Sequence, residues 1–306
     1  MIQIGDDFVE HALSFGQTQD MIADAFAALA RDEAAIHARQ RSSCGDFRLA
    51  TMGASWPAQG LALTKCYSAV GGRFDFHCTL FDTGSGRALC TISGDQLTGF
   101  RTAALSMMAI ANAANRTSTV ALIGAGFQGA AHLQALVQRF HVDEILVADP
   151  RDVGDWCAAT SLHLRVPMRQ VPANEAVSEA DVVITTTRSK TPVFDGNRLR
   201  QGALVVAVGT STRDGCELDD KTLRRTNRMI VEWLPQSLNE AGELHQGIVS
   251  GALDMDRVAA IPDLLRDRRP WRELAQEIIV FKAVGVGLSD LAAAALVWRA
   301  WQAAEH

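Results

Sequence analysis

TVALIGAGFQGAAHLQALVQRFHVDEILVADP, residues 119–150, decides the fold. Val120–Ile123 is a short apolar run that stops at Gly124-Ala125-Gly126-Phe127-Gln128-Gly129. A helical pattern follows, with Ala130, Leu133, Leu136 and Val137 on one face, and a second apolar run, Ile145–Ala148, ends at Asp149. Strand, glycine turn, helix, strand and acid make the first βαβ unit of a dinucleotide-binding fold. Gly124 allows the tight turn, Gly126 lets the backbone approach a pyrophosphate, and Gly129 lets helix and strand pack closely. The helix N-terminus, at Phe127 and Gln128, turns free N–H groups toward the phosphates. Asp149 lies about 20 residues past Gly129, where a carboxylate accepts hydrogen bonds from the adenosine ribose. That acid argues for NAD, while Arg151 beside it keeps NADP open, because an arginine takes a 2′-phosphate.

Outward from this unit, strands are expected at 119–124, 144–148, 182–187, 203–209 and 228–232, with helices at 127–140 and 173–180. The alternation requires a Rossmann-type, doubly wound parallel sheet in an α/β chain. Ligands bind at the carboxyl ends of such strands, which marks the turns at Thr185–Thr187 and Val208–Ser211 as cofactor-facing. Residues 236–280 read as helical with breaks at Gly242, Gly247, Gly251 and Pro262.

Before residue 116 the pattern changes. Residues 17–31 form an amphipathic helix with a cap at Thr18, and short strands are expected at 47–51 and 61–68. FDFHCTLFD (74–82), a turn at Thr83–Gly86 and RALCTISG (87–94) make a hairpin, so this sheet is antiparallel. A helix is expected from a cap at Thr98 to Asn115, with Arg101 in its first turn. A cation there opposes the helix dipole, and a bound anion would resolve the conflict. The last helix runs from Leu288 to Ala304. These patterns divide the chain into residues 1–115 with 281–306, an α+β domain, and 116–280, the nucleotide domain.

Bulk properties narrow the function. Hydrophobic residues at 48% and charged ones at 21% are ordinary for a soluble globular protein, and a net charge of −6 leaves no basic footprint for nucleic acid. No apolar run is long enough to span a membrane, and the acidic N-terminus does not read as a signal peptide, so a cytoplasmic location is expected. Six scattered cysteines without a CxxC pair read as reduced core thiols, and neither they nor the eight histidines have metal-ligand spacing.

Four blocks in order, GDQLTGFRTAALS (94–106), VALIGAGFQGAAH (120–132), AVGTSTRDGCELDD (207–220) and VFKAVGVGLSD (280–290), resemble the ornithine cyclodeaminase/μ-crystallin family over nearly the whole chain. The resemblance implies a homodimer joined through the antiparallel sheets, an NAD(P) domain, and chemistry at the Cα–N bond of a small amino-acid, keto-acid or imine substrate. It implies that Arg41 pairs with the substrate carboxylate, with Arg39 as its rival, that Lys65 is the pocket lysine, and that Arg101 is the third cation. Thr102 then lies at the cofactor phosphates, with Thr187 and Val208 on cofactor-facing turns. The family aspartate after the AVG turn is matched by Ser211, leaving Asp214 as the substitute. The segment between Lys65 and Phe74 also lacks the family's proline–asparagine loop. The leading expectation is an amino-acid dehydrogenase or ketimine reductase. The alternatives are a true ornithine cyclodeaminase, which converts L-ornithine to L-proline and ammonia, and a non-catalytic NAD(P)H-dependent binding protein.

Overall fold

The computed structural model describes residues 1–305. The chain divides into two compact units: Met1–Leu105 with the segment from Gly285 onward, and Ser106–Val284.

The first unit opens with β1 (Ile2–Ile4), α1 (Asp6–Ala12) and α2 (Phe15–Ala30). The chain then runs through β2 (Ala35–Cys44), β3 (Phe47–Trp56), β4 (Leu61–Val70), β5 (Arg73–Asp82) and β6 (Ala88–Ser93) into α3 (Gly94–Ala113). Its sheet has the order β1-β6-β5-β4-β3-β2, antiparallel except for β1 beside β6. The cap of α2 is Ser14, whose hydroxyl accepts from the Gln17 N–H, not Thr18. Thr18 is buried within the helix and donates its hydroxyl to the Ser14 carbonyl. β2, polar and mostly exposed, carries no clean alternation in sequence because it is an edge strand.

The second unit contains β7 (Thr119–Ile123), α4 (Phe127–Arg139), β8 (Glu144–Ala148), α5 (Gly154–Leu164), β9 (Met168–Gln170), α6 (Ala173–Glu179) and β10 (Val182–Thr185). It continues with β11 (Leu204–Ala207), α7 (Asp220–Arg225), β12 (Arg228–Val231), α8 (Leu234–Glu240), α9 (Gly242–Ser250), β13 (Val258–Ala260), α10 (Ile261–Arg266) and β14 (Ile279–Lys282). The sheet is parallel throughout, in the order β13-β12-β14-β11-β10-β7-β8-β9. Its central strands are apolar runs buried on both faces, as helices on both sides require.

Two expectations are corrected. Residues 236–280 are not helical throughout: Val258–Ala260 forms β13, and in the apolar run that begins at Ile278, Ile279–Lys282 forms β14, which is buried between β12 and β11. A four-residue apolar run has no period by which helix and strand can be told apart. The helix before the glycine turn starts at Gly94, four residues earlier than expected, and the unit boundary falls inside it after Leu105.

The chain ends with α11 (Gly287–Ala304), which returns to the first unit and packs on α2, β3 and β4. Its first half is buried all round and built of small residues, so the helix sits close on the sheet. A Cβ on Gly287 would collide with the Gly53 backbone of β3. This contact fixes which residues of β4 the first turn of α11 can reach, because Met52, next to Gly53, is the register partner of Lys65.

Candidate active site

The first unit gathers charge at one buried place. Asp290, in the first turn of α11, is fully buried, and its Oδ1 lies 2.8 Å from the Lys65 Nζ and 3.1 Å from the Arg101 Nε. Lys65, also fully buried, donates to the Thr98 hydroxyl at 2.6 Å, and its Nζ stands 4.6 Å from the centre of the Phe76 ring. Arg39 donates from Nη2 to the Gly285 carbonyl at 2.7 Å. A Cβ on Gly285, whose φ is +81°, would lie 3.0–3.3 Å from the guanidinium nitrogens of Arg101 and Arg39. Glycine there lets both heads gather at the start of α11.

Burial lowers the Lys65 pKa and Arg101 adds to the effect, against the pull of Asp290. For Asp290, burial alone would raise the pKa, but Arg101, Lys65 and Arg39 outweigh it and hold the carboxyl below its usual range. Lys65 and Arg101 therefore share one buried carboxylate, and two cations on one anion suit a further anionic group from a substrate.

Arg101 belongs to this cluster, but it does not stand at a helix terminus. With α3 starting at Gly94 it lies about two turns in, so the helix terminus plays no part, and its partner is Asp290. Thr98 is not a cap; it bridges Lys65 and the Gly94 carbonyl. Thr102 is buried beside it, with its hydroxyl on the Thr98 carbonyl. Of the two rival arginines, Arg39 joins the cluster. Arg41 is exposed on β2, opposite Ala50, and the row Arg41–Ala50–Tyr67 puts it on the sheet face that carries Lys65.

Asp214 lies exposed on the second unit. Its carboxylate is 60% exposed and pairs with Lys190 at 2.6 Å, and that hydrogen bond pulls its pKa down to about 2. The loop carries it outward, because Gly215 packs its backbone against Thr210 and Gly242 instead.

In the second unit the glycine turn has the conformation the motif requires. Gly124 has φ +104°, and a Cβ on Gly129 would collide with the Gly124 carbonyl. A Cβ on Gly126 would meet nothing within 4 Å, so the turn is open on its outer side. Gly126 caps α4 without any side-chain bond, leaving first-turn N–H groups for a phosphate. Phe127 is exposed, and the buried Gln128 Oε1 has no hydrogen-bond partner. Asp149 accepts from the Ala125 N–H at 2.9 Å and forms a bidentate pair with Arg151 at 2.8 and 2.9 Å. Arg151 is the main cause holding its pKa at about 2. These groups fit a dinucleotide: open glycine backbone, first-turn amides without a side-chain cap, and an acid just past β8, held here by Arg151 and the Ala125 N–H. Thr187 and Val208 stand at the ends of β10 and β11, and Thr187 gives both its N–H and its hydroxyl to Glu217.

Sequence reasoning did not single out Asp290 or Glu217. The signal for Asp290 was present, since GLSDLAAAALV sets one acid inside an otherwise apolar helix, where a buried charge requires a partner.

The ornithine cyclodeaminase/mu-crystallin family model matches residues 9–305. The iminosuccinate reductase of Paracoccus denitrificans is 30% identical over 71% of this chain and 68% of that protein. Its structure with NAD+ has a TM-score of 0.92 at 23% identity, covering 100% of this chain and 97% of that one, a likeness of fold. The ketimine reductase mu-crystallin of Mus musculus is 31% identical over 72% of this chain and 68% of that protein. The crystal structure of a probable ornithine cyclodeaminase from Bordetella pertussis matches with a TM-score of 0.96 and 38% identity, covering 99% of this chain and 98% of that one.

Proposed function

We propose a function from one premise: the chain belongs to the ornithine cyclodeaminase/mu-crystallin family. Within it, the protein is an NAD(P)-dependent reductase of the carbon–nitrogen double bond of a small α-imino acid, and in reverse an amino-acid dehydrogenase. The observation that carries this reading is the buried pair of Lys65 and Arg101 on the single carboxylate of Asp290, with half-buried Arg39 held beside Arg101 at Gly285. A carboxylate on the substrate supplies the missing negative charge, held by the guanidinium groups of Arg101 and of Arg39 or Arg41. Lys65 holds a proton at Nζ, made more acidic by burial and by Arg101, and gives it to the substrate nitrogen. Asp290 keeps Lys65 and Arg101 in place.

The glycine turn, the first turn of α4 and Asp149 hold the dinucleotide, which in reduced form supplies the hydride. Asp149 favours NADH, whose ribose hydroxyls it can accept, over a 2′-phosphate. Exposed Phe47, Leu49, Val70 and Phe74 at one end of the antiparallel sheet support its use as a homodimer contact. No helix among the described residues is long and apolar enough to cross a membrane.

A second reading, ornithine cyclodeaminase, is favoured by the 38% likeness to the Bordetella protein. Against it stand Ser211 at the aspartate position and the outward pairing of Asp214 with Lys190. The test follows NADH, ammonia and proline together, once with Δ1-pyrroline-2-carboxylate or iminosuccinate and once with L-ornithine. NADH consumption with an imine and no ammonia from ornithine supports the reductase. Equal ammonia and proline from ornithine, with no net NADH, overturns it. Absence of any turnover, with cofactor binding retained, points to a binding protein instead.

A further inference from the structure

Four polar side chains lie buried beneath the strand ends of the second unit, and the reductase chemistry uses none of them directly. Glu217 has no exposed surface. Its Oε1 accepts the N–H and the hydroxyl of Thr187, both at 2.8 Å, and its Oε2 accepts the Gly209 N–H at 2.9 Å. One carboxylate thus ties the turn that follows β10 to the turn that follows β11.

The turns have no slack. A Cβ on Gly209 would collide with the backbone of Thr187 and would lie 2.5 Å from the Glu217 Oε1. Beneath Glu217, Glu243 accepts the Glu217 N–H at 2.8 Å and the Thr210 hydroxyl at 3.3 Å. Lys282, at the end of β14, lies 3.2 Å from Glu243 and donates to the Thr210 carbonyl and hydroxyl at 2.9 Å. Glu217, Glu243 and Lys282 are fully buried and Thr210 nearly so.

The sheet order gives these turns a place in cofactor binding. β7 carries the phosphate turn, and β8, which ends at Asp149 on the adenosine side, flanks it on one edge. β10 and β11 flank it on the other, and in an open parallel sheet the chain reverses at this point and the ligand lies across it. The turns after β10 and β11 therefore meet the opposite half of a dinucleotide.

We propose that Glu217 is a positioning residue for the nicotinamide half of the cofactor, joining the Thr187 and Gly209 turns into one rigid support. This rests on the NAD(P) reading above. A support fixed by three hydrogen bonds to a buried carboxylate needs no ordering when the nicotinamide arrives, so its loss falls on that half alone. Burial pushes the Glu217 carboxyl up, with Lys282 opposing and Glu243 reinforcing; Glu217 nevertheless receives three donors and has none to give. An isosteric amide in its place necessarily turns an N–H against one of them.

The test measures the Kd of NADH and of ADP-ribose, which lacks the nicotinamide, for wild type, Glu217→Gln, Thr187→Val and the double variant. Glu217→Gln should weaken NADH about tenfold, the effect of losing one hydrogen bond to a charged group, and leave ADP-ribose within about twofold. Thr187→Val removes the hydroxyl bond to Glu217, together with the 3.3 Å bond that this hydroxyl accepts from the Ser189 N–H, and keeps the Thr187 N–H on Glu217; it should weaken NADH less, in the same direction, again sparing ADP-ribose. If Thr187 acts through Glu217, the double variant binds NADH no worse than Glu217→Gln alone. Unchanged NADH affinity in Thr187→Val and Glu217→Gln overturns the proposal, as do additive losses or equal losses of both ligands in Thr187→Val. Failure of wild type to bind either ligand refutes the NAD(P) reading itself, and the proposal with it.

Discussion

Replacing Asp290 with Asn removes the carboxylate that pairs with both Lys65 and Arg101 and leaves these two cations buried side by side. Removing one partner of a buried ion pair destabilises a protein by about 3–5 kcal/mol, because the other charge stays desolvated. Here the cost has a ceiling. Lys65 can shed its proton, and doing so at pH 7 from an ordinary pKa of 10.5 costs about 5 kcal/mol relative to the unfolded chain. The expected loss at pH 7 is therefore about 3–5 kcal/mol, read as a lower urea midpoint for the first unit. The sign with pH follows from the same proton. In Asp290→Asn the folded protein holds Lys65 neutral while the unfolded chain binds a proton, so stability rises with pH up to the unfolded pKa of 10.5. Urea titrations by circular dichroism at pH 7 and pH 9.5 should show the deficit shrinking at the higher pH. A loss below about 1 kcal/mol at pH 7, or a deficit that ignores pH, would refute the reasoning, since either means that Lys65 and Arg101 do not depend on Asp290.

Three further outcomes are expected. His132 is buried, with its Nδ1–H on the Gln128 carbonyl at 2.7 Å and its Nε2 accepting the Ser106 hydroxyl at 2.8 Å; burial pulls its pKa down to about 4 from 6.5. The neutral ring is stable above pH 6.5, so about 3 kcal/mol should be lost as pH falls to 4, a slope that urea titrations of His132→Gln should lack. Gly129→Ala drives a methyl into the Gly124 carbonyl, and overpacking of that kind costs about 1–3 kcal/mol; its NADH titration should show binding lost, and wild-type affinity would count against the turn as the phosphate site. Asp149→Ser releases Arg151 from its bidentate partner, so fluorescence titrations should show weaker NADH and tighter NADPH; an unchanged ratio of the two dissociation constants would remove Asp149 from cofactor choice.

Much of this was readable before any coordinates. The glycine turn and the flanking apolar runs mark themselves, so β7, β8, β10, β11 and β12 of the parallel sheet are legible from residue 119 onward, whereas β9, β13 and β14 are not. The hairpin around Thr83–Gly86 was equally clear, because alternating strands end in turn residues. What escaped had a common cause. β2 is a polar edge strand, β14 is a buried run without a period, and Asp290 meets Lys65 across 225 residues of chain. Sequence spacing carries no information about such a contact; it is set by two glycines, Gly53 and Gly287, that let α11 settle on β3. Arg101 stands out in the sequence, but its place at a helix terminus does not hold, since the helix starts a turn earlier than Thr98 suggested. Arg39 and Arg41 could not be separated by pattern, and it is the bulge between His37 and Gln40 that sets Arg39 apart from the register of the strand.

The most direct test of the account is the fate of one hydrogen. The protein is incubated with NADH deuterated at the transferring C4 position and Δ1-pyrroline-2-carboxylate or iminosuccinate, and the amino-acid product is analysed by mass spectrometry and NMR. Hydride delivery to the imine carbon predicts one deuterium at Cα, and a Lys65→Met variant that binds NADH normally yet forms product far more slowly. Product without deuterium at Cα, or NADH bound but never oxidised with any small imino acid, would contradict the assignment of this chain as a reductase of the carbon–nitrogen double bond.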